Sequence, residues 1–359
     1  ASRSQSGARD SPGGRRGPLT PRAAATQDTG YTSLGGVLVR AESADALARI
    51  DTLIFDMDGV IIDPTGSIEG AHPPALGLWA ETVLGLTGVD GLIDASDTAE
   101  FRLAGAEEVA AKRRAIEGFF DTPDPATDPH TLRLTEEDLH MAARTAVALD
   151  RFIAARRLDG LAYYYEAEPG SEMRRVVSNF IVGNSLLSAA GFPMCGENDL
   201  KTCVAMLIMD RLEIGGSFAE FHPVNFAENI IYVGHDGPHH LNICEGRPRL
   251  RSLRQYHGKP GSGASVEFTI RHGPLTLLSV GQTHDGRFKF IIGEGESVPG
   301  PIPPTGNTNT PGRFHPDPLT FLRAWCNAGP THHFALGIGH HAETIRRLGE
   351  TLGIESVVV

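Results

Sequence analysis

Residues Cys195 to His240 read CGENDLKTCVAMLIMDRLEIGGSFAEFHPVNFAENIIYVGHDGPHH, and this stretch decides the architecture. Leu200, Val204, Leu207, Ile208 and Leu212 recur at three- and four-residue steps, which predicts a helix with one apolar face. Glu197 and Asp199 fall at its first turn, where carboxylates suit the positive end of the helix dipole. Gly215-Gly216 ends the helix, and a short strand follows that carries Glu220. A second apolar run, Ile230-Ile231-Tyr232-Val233, delivers His235 at its end. Two carboxylates and an imidazole at element ends form a metal-ligand set, in the places where α/β folds gather functional groups. The oxygen-rich mixture favours a hard or borderline divalent cation such as Mn²⁺.

Working outward, the stretch lies in a chain of 359 residues, long enough for two or three domains with sizeable cores. Hydrophobic residues make up 40% and charged residues 21%, a globular balance. A net charge of −12 with no dense basic face speaks against a nucleic-acid partner. No apolar run approaches the roughly twenty residues of a membrane span. Cys195, Cys203, Cys244 and Cys326 lack paired spacing, so free thiols in a reducing cytoplasm are expected.

On the N-terminal side, residues 1–45 are rich in Ser, Gly, Pro, Arg and Ala, and are expected to be disordered. Residues 46–105 differ in character. The apolar strand Thr52 to Phe55 ends in Asp56-Met57-Asp58-Gly59, which resembles the first motif of the haloacid dehalogenase superfamily of phosphatases. The resemblance implies Asp56 as nucleophile and Asp58 as acid/base with Mg²⁺, and extends loosely through the helical Ala75–Leu86. That family's later Ser or Thr, Lys and acidic pair have no convincing counterparts here, so 46–105 reads as a fragment with a vestigial motif.

Residues 106–244 read as a central α/β domain. Thr135-Glu136-Glu137-Asp138 predicts a capped helix start, and Leu139, Ala142, Ala143, Ala146, Leu149 and Phe152 form its stripe. A strand at Leu161–Tyr165 and a helix at Asn179–Ala190 follow. From 245 the period becomes two. Ser265–Ile270, Pro274–Val280 and Arg287–Ile292 read as strands, and Asp285-Gly286 signals a hairpin between the last two. Glu294–Pro311 reads as irregular loop, the helices Pro318–Ala328 and Ala342–Leu352 close the chain, and Ser356–Val359 is an apolar strand. The expected fold is therefore α/β, with a central α/β domain and a C-terminal antiparallel, barrel-like β domain at 245–359.

From about Ala106 to the end the chain resembles the L-arabinose isomerase family, within the arabinose/fucose isomerase group. The residues that carry this are Gly196-Glu197-Asn198-Asp199-Leu200-Lys201-Thr202, Gly216-Ser217-Phe218 with Glu220, Gly234-His235, and Gly329-Pro330-Thr331-His332-His333, in that order and spacing. The resemblance implies an aldose–ketose isomerase in which Glu197, Glu220, His235 and His333 bind one divalent metal, usually Mn²⁺. It implies further that Glu197 and Glu220 transfer the proton, with His332, His239 and His257 as candidate substrate contacts. His240 belongs to the same group of candidates, and Lys201 reads equally as a helix-surface cation. A sugar substrate and a homo-oligomer are implied as partners. Gly234–His240 and Gly306-Asn307-Thr308-Asn309 depart from the best-known arabinose enzymes, leaving the sugar open. The family's N-terminal Rossmann-like domain has no counterpart here, so impaired turnover and an exposed apolar patch are expected.

The chemistry asks for these residue types. Moving a proton between C1 and C2 through a cis-enediol needs charge stabilisation on the developing enediolate and two carboxylates as base and acid. The competing readings are a haloacid dehalogenase-type phosphatase, and an inactive truncated or fused isomerase.

Overall fold

A computed structural model describes residues 31–34, 37–40 and 104–359, except 129–132, 165–169, 236–238, 254, 257–258, 261, 284 and 304–307. Asp56, Asp58, the strand and helix expected around them, and His257 lie outside the described residues. The chain divides into two units between His72 and Pro73. In the first, β1 (Tyr31–Leu34) and β2 (Val37–Arg40) pair antiparallel, with Tyr31 opposite Arg40 and Leu34 opposite Val37. The apolar Val37-Leu38-Val39 run, β-branched at Val37 and Val39, supplies strand propensity.

The second unit opens with α1 (Ala106–Phe119) and α2 (Glu136–Arg156), packed together through Val109, Ile116, Ala142 and Ala143. The expected cap at Thr135 is present: Asp138 N–H donates to Thr135 Oγ1 at 3.2 Å, and Thr135 N–H donates to Asp138 Oδ2 at 2.8 Å. Next come β3 (Leu161–Ala162), α3 (Glu172–Val177), α4 (Phe180–Ala189) and β4 (Met194–Cys195), with β3 parallel to β4. β3 is shorter than its apolar run predicts. The carbonyl of Tyr163 accepts from Asn198 N–H at 2.9 Å, so the chain there closes the turn around Glu197 instead of extending a ladder.

From α5 (Leu200–Arg211) the chain enters β5 (Gly215–Asn225) and β6 (Ile230–Gly234), then β7 (Arg249–Ser252), β8 (Gln255–Tyr256), β9 (Lys259–Pro260) and β10 (Ala264–Glu267). After these lie β11 (Gly273–Gln282), β12 (Phe288–Ser297), β13 (Thr308–Arg313), α6 (Pro318–Ala328), β14 (Phe334–Ile338), α7 (Ala342–Leu352) and β15 (Glu355–Val358). Six strands close into an antiparallel barrel in the order β11-β14-β5-β6-β13-β12, with β12 returning to β11. β15 adds to β12 in parallel. Two of the six staves, β5 and β6, come from sequence before residue 244, so strands from both sides of that position share one sheet.

The hairpin expected at Asp285-Gly286 joins β11 to β12, with Gly286 N–H donating to Thr283 O at 2.9 Å. The stretch 294–311, expected to be irregular, is strand at both ends. Its glycines mark close packing: a Cβ on Gly295 would stand 2.5 Å from Phe314 Cδ1. Phe314 belongs to an aromatic cluster with Phe221, Phe321, Trp325 and Phe334 that seats α6 on the barrel, with Phe314 and Phe321 stacked at 4.4 Å. A second cluster, including Cys203, Met206, Met209, Phe218 and Ala335, seats α5.

The step from α5 into β5 depends on glycine. Gly216 has φ +117°, and a Cβ there would meet Met206 O at 2.7 Å. Gly216→Ala combines backbone strain with overpacking and is expected to cost about 2–4 kcal/mol. Urea unfolding should show a lowered midpoint with an unchanged slope.

Candidate metal centre at the barrel rim

β5 places Glu220 opposite Gly234 of β6 and Ala219 opposite Phe334 of β14. This register brings three chain segments to one rim position: Glu220, the residue after β6 (His235), and the two residues before β14 (His332 and His333). Glu197 reaches the same place from the turn between β4 and α5. That turn is left-handed at two non-glycine residues, Glu197 (φ 59°) and Asn198 (φ 55°). Such backbone strain is retained where surrounding structure enforces it, commonly at functional sites. Here Asn198 N–H is tied to Tyr163 O, and Asp199 caps α5 by accepting from Thr202 N–H at 2.9 Å.

Glu197 Oε1 lies 3.5 Å from His235 Nε2, and its Oε2 lies 3.4 Å from His333 Nε2. Both are long for a charge-assisted hydrogen bond, which runs about 2.7–2.9 Å. They match two donors sharing one ion, because metal–ligand bonds of about 2.1 Å place neighbouring ligand atoms roughly 3.0–3.5 Å apart. Two overlapping triads result, Glu197–His235–His333 and Glu220–His332–His333, each able to bring its ligand atoms within 4.8 Å of one another. The four residues expected to share a cation are thus split between two triads joined at His333. His332, expected to contact substrate, stands in the second triad with Nε2 2.8 Å from Glu220 Oε2. The donor set of carboxylates and imidazoles, with His235 and His333 each only 4% exposed, fits a divalent cation.

Phe218 is fully buried against both imidazoles, its ring centroid 4.3 Å from that of His235 and 4.4 Å from that of His333. Burial pushes the Glu197 carboxyl up, but the charge of His333 and the adjacent His235 imidazole outweigh it, so it titrates below the usual range. Burial likewise opposes ionisation of Glu220, yet hydrogen bonds from His222 and His332 hold it well below that range. Burial pushes the Lys201 ammonium down against the opposing pull of Asp199.

Sequence reasoning gave Asp199 only a helix-terminus role. Its Oδ2 also lies 3.1 Å from His333 Nδ1, the carboxylate–imidazole pairing that orients a ligating His. Its position two residues after Glu197 was the available signal. His222 was missed altogether: Nε2 contacts Glu220 Oε1 at 3.2 Å, and Nδ1 contacts Thr308 Oγ1 at 2.8 Å. It sits in a bulge of β5, so strand periodicity gave no signal for it. Other expected contacts lie elsewhere. His239 is buried, stacked on Phe268 at 4.7 Å, with its N–H donating to Ser185 Oγ at 3.3 Å. His240 Nε2 pairs with Asp210 Oδ1 at 3.2 Å.

Burial raises the Asp199 carboxyl, but the His333 hydrogen bond and charge, with Thr202 N–H, lower it overall. A carboxyl depressed on folding adds stability above its unfolded value of about 3.9, and that stability is lost as pH falls through the folded value. Asp199→Asn retains a good helix cap. Metal-free Asp199→Asn protein is therefore expected to lose less stability than wild type between about pH 5 and 3, as denaturant titrations across that range would show.

The molecule is thus a mixed α/β chain whose six-stranded barrel carries at its rim a Glu/His cluster able to hold a cation. No family model matches the chain. It is 28% identical over 337 residues to the L-arabinose isomerase of Nocardioides sp., covering 82% of this chain and 65% of that protein. It is 27% identical over 235 residues to L-arabinose isomerase 1 of Bacillus licheniformis (62% and 45%), and 24% identical over 258 residues to the Escherichia coli K12 enzyme (66% and 48%). These matches support the resemblance to the L-arabinose isomerase family. The chain spans less than two thirds of the length of these relatives. The first match covers more of the chain than residues 106–359 comprise, so similarity reaches into the segment read as phosphatase-like. Among the described residues, no helix is long and apolar enough to cross a membrane.

Proposed function

We propose that this chain is an Mn²⁺-dependent aldose–ketose isomerase acting through a cis-enediol on a pentose or related sugar. The observation that carries the reading is the pair of carboxylates, Glu197 and Glu220, set with His235, His332 and His333 at one rim position, in a chain whose relatives are named L-arabinose isomerases. Glu197, Glu220, His235 and His333 would hold the cation, which when bound supplies Lewis-acid stabilisation of negative charge on the substrate oxygens. One carboxylate removes the C2 proton of the aldose. The electron pair forms the C1–C2 double bond, and O1 takes up a proton. Loss of the O2 proton and protonation at C1 then give the ketose. Ionised carboxylates suit the first step, in keeping with the lowered titration of both groups. Asp199 orients His333 through Nδ1, leaving Nε2 for the site.

A cytoplasmic location and a homo-oligomer belong to the same reading, the first resting on the free thiols of the four cysteines. The test is calorimetric titration of metal-free protein with Mn²⁺, followed by a ketose-formation screen over several aldoses, with light scattering on the same sample. Saturable binding and ketose from a pentose are expected. Absence of both would end the reading. Asp56→Asn is expected to leave ketose formation unchanged, and p-nitrophenyl phosphate should not be hydrolysed above background. Mg²⁺-dependent phosphatase activity lost in this variant would favour the phosphatase reading instead.

A further inference from the structure

The strands around Glu220 are irregular at two facing places. Between β5 and β6 the register runs Phe221 opposite Val233 and then Val224 opposite Ile231, so β5 carries one extra residue at 222–223. Between β13 and β6 it runs Thr308 opposite Gly234 and then Thr310 opposite Val233, so β13 carries one extra residue at Asn309. β6 is thus flanked by two bulges, a device that re-aims side chains beside functional sites. Each bulge serves the rim. The first turns His222 between Glu220 and Thr308, and the second lets Asn309 Oδ1 accept from His235 N–H at 3.1 Å while its Nδ2 donates to Phe268 O at 3.0 Å.

Hydrogen-bond direction follows from the partners. Glu220 is an acceptor, so His222 Nε2 carries the proton, and a neutral ring then accepts at Nδ1 from the Thr308 hydroxyl. The ring cannot slip, since the His222 side chain is only 8% exposed and Thr308 only 4%. With Oε1 taken by His222, Oε2 is the oxygen that Glu220 turns toward His332. We propose that Thr308, acting through His222, is the positioning pair that fixes the Glu220 carboxylate and selects Oε2 as its ligand oxygen. The inference rests on the reading of Glu220 as a cation ligand, and it assigns work to Thr308 and Asn309 at the start of β13.

The test compares wild type with Thr308→Val, Thr308→Ser and His222→Phe. Calorimetry reads Mn²⁺ affinity, ¹⁵N chemical shifts of the His222 ring in metal-free protein read the tautomer, and thermal unfolding controls for folding. Thr308→Val, close in shape but without the hydroxyl, should weaken Mn²⁺ roughly ten- to a hundredfold. It should also turn the single Nε2–H signature into a mixture, with the metal-free unfolding midpoint little changed. Thr308→Ser should restore both readouts. His222→Phe should weaken Mn²⁺ as much as Thr308→Val, and the double variant should be no worse than either single, because both changes break one link. Thr308→Val with wild-type affinity and tautomer overturns the proposal. Equal losses in the Val and Ser variants overturn it too, since the hydroxyl is then not the cause. If wild type binds no Mn²⁺, the metal reading fails by itself, and the tautomer comparison still decides whether Thr308 sets His222.

Discussion

Glu220→Gln should lower Mn²⁺ affinity by roughly ten- to a hundredfold and turnover by about 10²–10⁴-fold. The amide keeps the shape of the side chain but removes its charge, and with it the attraction of a divalent cation into a buried cluster. It also removes a proton acceptor. In wild type both oxygens are engaged, Oε1 by His222 at 3.2 Å and Oε2 by His332 at 2.8 Å. An amide can present an oxygen to only one of them, so its NH₂ must face the other imidazole. The affinity loss has an electrostatic and a geometric part, while the turnover loss adds the missing base. Separating them requires turnover at saturating Mn²⁺: if the carboxylate moves the proton, kcat stays low when the metal is restored by mass action. A kcat within about threefold of wild type under saturation would leave Glu220 a ligand only, and would move the base role to Glu197.

How far the sequence revealed this site depends on how local each signal was. Glu197, His235 and His333 stand beside element ends, which apolar runs and glycine stops mark, whereas Glu220 lies mid-strand in β5 and is singled out by the Gly216-Ser217-Phe218 motif around it. That His333 joins two triads was not legible, because it depends on a barrel closing through six strands and on register between β14 and β5. The barrel was half visible. Alternation and Asp285-Gly286 marked the β11–β12 hairpin, but β5 and β6 were assigned to an earlier domain, since nothing local tells a strand which sheet it joins. The Gly-rich 294–311 stretch misled, because glycine beside Phe314 serves ring packing as well as turns. Asp199 and His222 show the same limit at residue scale. One looked like a helix cap and is also the partner of His333; the other sits in a bulge, and an extra residue in a strand leaves no periodic trace.

Phe218→Ala carries the largest expected effect on the fold and acts on the site through packing alone. Phe218 is fully buried on β5, two residues before Glu220 and therefore on the same side of the strand. Its ring packs against both His235 and His333, whose own centroids are 5.2 Å apart, and it also belongs to the apolar cluster under α5. Truncation to Ala removes a whole ring from a site bounded by rigid strands, which collapse poorly, so a loss of about 3–5 kcal/mol is expected in denaturant unfolding of metal-free protein. The two imidazoles then lose the wall that fixes their planes, while Asp199 still holds His333 and the Asn309 contact to the His235 backbone survives. Mn²⁺ affinity should fall, but less than in Glu220→Gln, because every donor remains and only its placement loosens. Saturating Mn²⁺ stabilises the folded chain in proportion to the logarithm of its affinity, so the rise in unfolding midpoint with added metal should be smaller in Phe218→Ala than in wild type. Phe218→Leu, which refills most of the volume, should recover much of the stability and part of the metal response. If Phe218→Ala unfolds like wild type yet loses Mn²⁺, the ring matters to the site alone and its packing role is refuted. If stability falls while the metal response is unchanged, the imidazoles are held by Asp199 and Asn309 without it.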